Sequence, residues 1–200
     1  MTGEVSVQSP PQKIRRLIRL LLHKNGPLRN WRFFPTRLLL RKLRSASSEM
    51  RAYAAEGLGN VGDVHAVLPL IEALTDENTT VRRFAISALG HLRDARAIDG
   101  LITFLQDEEP DMRCAAVVAL GELGLTEERG VNPPIQVIEA LISSITDSER
   151  SVSSAAVVAL GRIGNPQAIS ALNALAETTE SEWIRRYISE ALHQIEEQNA

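Results

Sequence analysis

The chain holds a single cysteine, Cys114, among 200 residues. That rules out an internal disulfide and any metal site built from several thiolates. A lone thiol suits a reducing compartment, and the expected location is the cytoplasm. Aromatic residues make up only 4% of the chain, against 44% hydrophobic residues overall. The core must therefore be built from Ala, Leu, Val and Ile, which suit closely packed small helices better than a β-sandwich. No run approaches the roughly 18 consecutive apolar residues of a membrane span. Met1–Gln12 lack the charged start and apolar centre of a secretory signal. The net charge of −3 argues against a dedicated nucleic-acid binder.

What the chain has in abundance is repetition. The dipeptide Leu-Gly recurs at Leu58-Gly59, Leu89-Gly90, Leu120-Gly121 and Leu160-Gly161, and Leu192 extends the series. About eight residues before each Leu stands an apolar residue: Met50, Val81, Met112, Val152 and Ile184. Arg follows it at Arg51, Arg82, Arg113 and Arg185, with Ser153 as the exception. Between these marks Val81, Phe84, Ala85, Ala88 and Leu89 fall at i, i+3, i+4, i+7 and i+8, one stripe of a helix. Gly after the last Leu is expected to end that helix, since glycine enters the left-handed conformation cheaply. Asp63, Asp94 and Asn165 then stand where the N-cap of a second helix is needed. Second-helix stripes follow at Val67, Leu70, Ile71 and Leu74, and at Ile98, Leu101, Ile102 and Leu105. The third copy is longer, because about nine residues near 125–133 enter its inter-helix turn. Helical pairs of about 31 residues cannot bury their apolar faces alone and must stack. The fold class expected is an all-α solenoid of four to five helical hairpins with helical caps, over residues 48–200.

The stretch AVLPLIEALTDENTTVRRFAISALGHLRDARAI resembles HEAT repeats of the short HEAT-like class first described in phycobilisome lyases. The resemblance covers about residues 48–198. It implies a polar ladder linking successive repeats, carried here by Asp76, Arg82, Asp107, Arg113 and Asp147. Ser153 departs from that pattern and is expected to weaken the ladder between the third and fourth copies. The resemblance also admits a phycobilin lyase or isomerase subunit, or another phycobilisome-associated factor, with a phycobiliprotein as its partner.

Ahead of the repeats, residues 13–47 form a basic segment after a tail of residues 1–12. Lys13 to Arg44 carry eleven Lys or Arg and no acid. Such partition is an argument about partners. KIRRLIRLLLHK reads as an amphipathic helix, and about Thr36 to Arg44 as another that closes the stack as a cap or a degenerate first repeat. Candidate partner-binding residues are Arg15, Arg16, Arg19, Lys24, Arg29, Trp31, Arg32, Phe33 and Phe34, with Arg37, Arg41, Lys42 and Arg44. Arg beside Trp and Phe suits an acidic protein surface, a membrane surface or nucleic acid. Pairing within the chain is a further reading of the same charges.

Chemistry is sparse. Gly57-x-Gly59-x-x-Gly62 matches a dinucleotide fingerprint in letters only, because it follows a helix where the fingerprint needs a strand. His23, His65, His91 and His193 have no metal-ligand spacing, and no cofactor or catalytic residue is expected. Cys114 shares a column with Ala52, Arg83, Ser154 and Arg186 and is expected to be partly exposed. The function expected is a non-catalytic scaffold or adaptor that binds a partner protein through the solenoid surface and the basic segment. Its second helices, with Thr103, Ser143, Ser144 and Asn173, are expected to line the concave face.

Overall fold

The computed structural model describes residues 36–125 and 133–199. The tail, the helix expected over residues 13–24 and most of the inserted turn lie outside the described residues. Among the described residues there are ten α-helices and no strand. They alternate between two layers. The first helices are α2 (Ser48–Val61), α4 (Thr79–Leu92), α6 (Pro110–Gly124), α8 (Arg150–Ile163) and α10 (Glu182–Asn199). The second helices are α1 (Thr36–Leu43), α3 (Val67–Ala73), α5 (Ile98–Thr103), α7 (Ile135–Ser144) and α9 (Ala168–Thr178).

The starts of these elements follow from side-chain oxygens placed to take orphan amides. Asn78 accepts from the backbone N–H of Thr80 at 3.0 Å ahead of α4. Asp63 and Asp94 each accept from the N–H two residues on, at 3.0 Å, and open the short 3₁₀ turns that lead into α3 and α5. Asn165 does the same for Gln167 at 2.9 Å before α9.

The core runs the length of the stack as one seam. Leu58, Leu89, Leu120 and Leu160 from the first helices are all 0% exposed. They meet Leu70, Leu101, Leu141 and Leu172 from the second helices, also 0% exposed. Each such side chain contributes about 1.5–3 kcal/mol by leaving water.

The recurrent glycines do not end the first helices. Gly59, Gly90, Gly121 and Gly161 are buried within them, and each helix runs on beyond the glycine. The left-handed residues come three positions later: Gly62 (φ 76°), Arg93 (φ 51°) and Gly164 (φ 72°). Contact with the next helix explains the column. A Cβ on Gly59 would lie 2.7 Å from the Cα of Ala88, and one on Gly90 would lie 2.8 Å from the Cα of Ala119. At Gly121 it would lie 2.9 Å from the Cβ of Ala159, and at Gly161 2.7 Å from the Cα of Ala191. At Gly59, Gly90 and Gly161 successive first helices thus touch backbone to backbone, at Gly121 backbone to alanine methyl, and only glycine leaves room.

Polar links join the repeats along one edge. Arg51 holds the Asp76 carboxylate with two hydrogen bonds, at 2.6 and 2.9 Å. Arg113 holds Asp147 in the same way, at 2.8 and 2.9 Å. The same arginines also donate to main-chain carbonyls six residues back: Arg51 to Ser45 and Arg113 to Asp107. Arg82 donates to the carbonyl of Asp76 at 3.0 Å and to the Thr79 hydroxyl at 3.2 Å, with no Arg82–Asp107 ion pair among the described residues. Asp107 accepts from the Glu109 amide at 2.9 Å. The six-residue spacing therefore joins guanidinium to main chain, and the Asp76 and Asp147 carboxylates, though not that of Asp107, answer the arginine of the preceding first helix. At Ser153 the hydroxyl donates instead to the carbonyl of Ile145, at 2.8 Å.

Candidate protein-binding groove

Two layers joined hairpin by hairpin curve toward the layer with the shorter spacing. Glycine brings the first helices together, while the second helices touch one another far less. The concave side therefore belongs to the first helices and not, as the polar residues of the second helices suggest, to the other layer. Ser144 is itself buried and donates to the carbonyl of Ala140 at 3.0 Å. Thr103, Ser143 and Asn173 are exposed on the opposite layer.

Along the first helices the solvent side is a groove with a floor of small residues. Its first recess, about 430 Å³, lies between α4 and α6, with Arg83, Ser87, His91, Asp111, Cys114 and Val118 around it. A second of about 270 Å³ follows between α6, α8 and α10, bounded by Val118, Ser154, Val158, Arg162 and Tyr187. Val118 belongs to both. It is 52% exposed and Val158, in the same column, 38% exposed. Apolar side chains thus stand on the solvent side of two adjacent helices. That break in the amphipathic pattern is the sequence signal that could have marked the groove.

The end of the groove is walled by rings. Trp183 and Tyr187 meet edge to face with centroids 4.5 Å apart. The Arg150 guanidinium lies 3.8 Å over the Trp183 ring. Glu122 accepts from Arg93 at 3.2 Å and from Arg162 at 3.5 Å, tying three first helices at the rim. Burial, with Asp111 nearby, pushes the Cys114 thiol up, so at neutral pH it is protonated and a weak nucleophile. The walls carry methyl, hydroxyl, thiol, imidazole, carboxylate, ring and guanidinium groups.

Of the basic candidates, Arg15, Arg16, Arg19, Lys24, Arg29, Trp31, Arg32, Phe33 and Phe34 lie outside the described residues. Arg37 and Arg41 are exposed on α1, Arg44 is exposed in the turn just after it, and Lys42 is half-buried on the helix. They belong to the second-helix layer at one end of the stack, apart from the groove. No helix among the described residues is long and apolar enough to cross a membrane.

A family model for HEAT repeats matches residues 36–121 and again 98–193. No curated protein matches the chain. Among solved structures, the chain is similar to the complex of CpcE and CpcF of phycocyanin lyase from Nostoc sp. PCC7120. The identity is 24% over 98% of this chain and 70% of that one, with a TM-score of 0.64. A designed armadillo repeat protein in complex with the peptide (KR)4 is 22% identical over 78% of this chain and 80% of that one, with a TM-score of 0.62. An engineered protein is 18% identical over 93% and 97% of the two chains, with a TM-score of 0.62. At these identities the shared property is the repeat-solenoid fold.

Proposed function

The chain belongs to the HEAT-repeat family, and on that premise we propose that it is a non-catalytic scaffold, working in the cytoplasm, whose protein partner lies along the groove of the first helices. The observation that carries this reading is the pair Val118 and Val158, exposed at the centre of a concave surface. Exposed apolar side chains gathered in a concavity favour a partner that covers them. Arg83 beyond one end of the pair and Arg162 near the other supply charge at the rim, where it selects partners more than it adds affinity. The fitting partner presents small apolar side chains to the valines and acidic or amide groups to the arginines.

The test is affinity capture with the wild-type chain and with a Val118→Glu/Val158→Glu variant whose helical circular dichroism and melting match it. A discrete partner kept by the wild type and by an Ile135→Glu control, but lost from the double variant, is the expected result. Equal capture by all three would remove the groove from consideration.

A bilin-lyase-type subunit acting on a phycobiliprotein is the second reading, favoured by the likeness to phycocyanin lyase over nearly the whole chain. It requires an absorbance shift when bilin is added together with a phycobiliprotein subunit. An unchanged spectrum would discard it.

A further inference from the structure

We propose that the recess between α1 and α3 is a second docking site, separate from the groove, and that it takes an acidic segment of a partner protein. Arg37 and Arg41 stand at i and i+4, so they share one face of α1, and Arg44 follows in the turn that ends it; all three line the same recess. They overhang a recess of about 420 Å³ whose apolar lining is Leu40, Leu43, Pro69 and Ala73. None of the three guanidinium groups has an ion pair or hydrogen bond among the described residues. Arg51, Arg96 and Arg113, by contrast, are each committed to a carboxylate. Three uncommitted cations gathered on one recess are a recognition pattern for carboxylates.

The acids within the recess do not cancel them. Asp76 is spent on Arg51 and on the Asn78 amide, which accounts for both of its oxygens. Among the described residues Glu72 is the one uncommitted carboxylate lining the recess. Positive charge therefore remains in excess. The same two helices leave Leu38 36% and Leu68 57% exposed, so apolar contact is available beside the charge.

The form of the site selects among anionic partners. A bilayer or a nucleic-acid duplex presents phosphates to the arginines but cannot fill an apolar floor, and it meets Glu72 as repulsion. A peptide can set carboxylates against the three arginines, insert a leucine, and turn amide N–H groups toward Glu72. The site lies on the second-helix layer, so it stands or falls independently of the groove.

The experiment is fluorescence anisotropy of a labelled 15-residue peptide of Glu and Leu, titrated with the full chain at about 0.05 M salt, where surface charge is weakly screened. The wild type is expected to bind. A variant with Arg37→Gln, Arg41→Gln and Arg44→Gln is expected to bind about tenfold more weakly, as the loss of three exposed pairs predicts. Glu72→Gln, which removes the repelling acid, is expected to tighten binding about twofold, a gain that misfolding cannot produce. Val118→Glu/Val158→Glu is expected to bind the peptide as the wild type does, even if it loses the partner of the groove. The proposal is overturned if the triple variant binds as the wild type does. It is equally overturned if phosphatidylserine vesicles or duplex DNA bind under these conditions while the peptide does not.

Discussion

At Gly90 one methyl group decides how close two helices can come. An added Cβ would meet the Cα and Cβ of Ala119 at 2.8 and 3.0 Å, and a backbone atom cannot step aside as a side-chain tip can. Alanine is worth about 1 kcal/mol over glycine inside a helix, while overpacking costs about 1–3 kcal/mol. We expect Gly90→Ala to lower stability by up to about 2 kcal/mol, the net of these opposed effects. Gly100 is the control. Its added Cβ would meet only the tip of Leu74, at 2.9 Å, and that side chain can turn. Gly100→Ala should lie within about 1 kcal/mol of the wild type, on either side. Urea unfolding followed by circular dichroism separates the two.

These glycines also mark the limit of what was legible. The stripe Val81, Ala85, Ala88 and Leu89 could be read because period alone identifies a buried helix face, and all four are 2% exposed or less. Gly59 and Gly90 could not be placed the same way. A glycine just after an apolar stripe has the local signature of a helix end, and its true contact is with a residue 29 positions further on, Ala88 or Ala119. A second glycine three residues later, at Gly62 and Gly164, was the mark of the real ends.

Among the elements, α1 is joined to the repeat that follows by one short bond. The Thr36 hydroxyl donates to the Asp63 carboxylate at 2.6 Å. That bond, with the His65 amide, pulls the Asp63 carboxyl down to about 2 from 3.8. A carboxyl lowered in the folded chain stabilises it fully above its unfolded value and loses that contribution as pH falls toward 2. Thr36→Val should therefore be less stable than the wild type at pH 7, by about 1 kcal/mol for a partly exposed hydrogen bond. The gap should close between about pH 4 and pH 2. Thermal melts at three or four pH values would show the convergence, and a gap constant with pH would point to packing instead. The link was not legible because 27 residues separate its partners. Asp63 as a cap was legible, since capping is local.

Over the whole molecule the stack is unevenly tied. Arg51–Asp76 and Arg113–Asp147 hold the early and middle repeats. In the fourth repeat Ser153 stands in the arginine position, and Thr179, six residues before Arg185 as Asp76 is before Arg82, stands in that of the acid. The helix after it, α10, has no neighbour on its outer side among the described residues. Stability in such a stack is a sum of units and interfaces. Amide hydrogen exchange should find α9 and α10 opening at lower free energy than α4 and α6. Equal protection along the chain would show that the missing link costs nothing.

The glycine column has one more consequence, which concerns measurement. Helices in contact lie about 8–10 Å apart, and glycine holds these at the short end of that range. Val118 and Val158 stand on either side of the Gly121–Ala159 contact, so their separation is graduated by it. An extended chain advances about 10 Å in three residues, and a helix about the same in seven. Whatever settles in the groove is therefore read with a ruler, and a methyl group added at Gly121 would alter its scale.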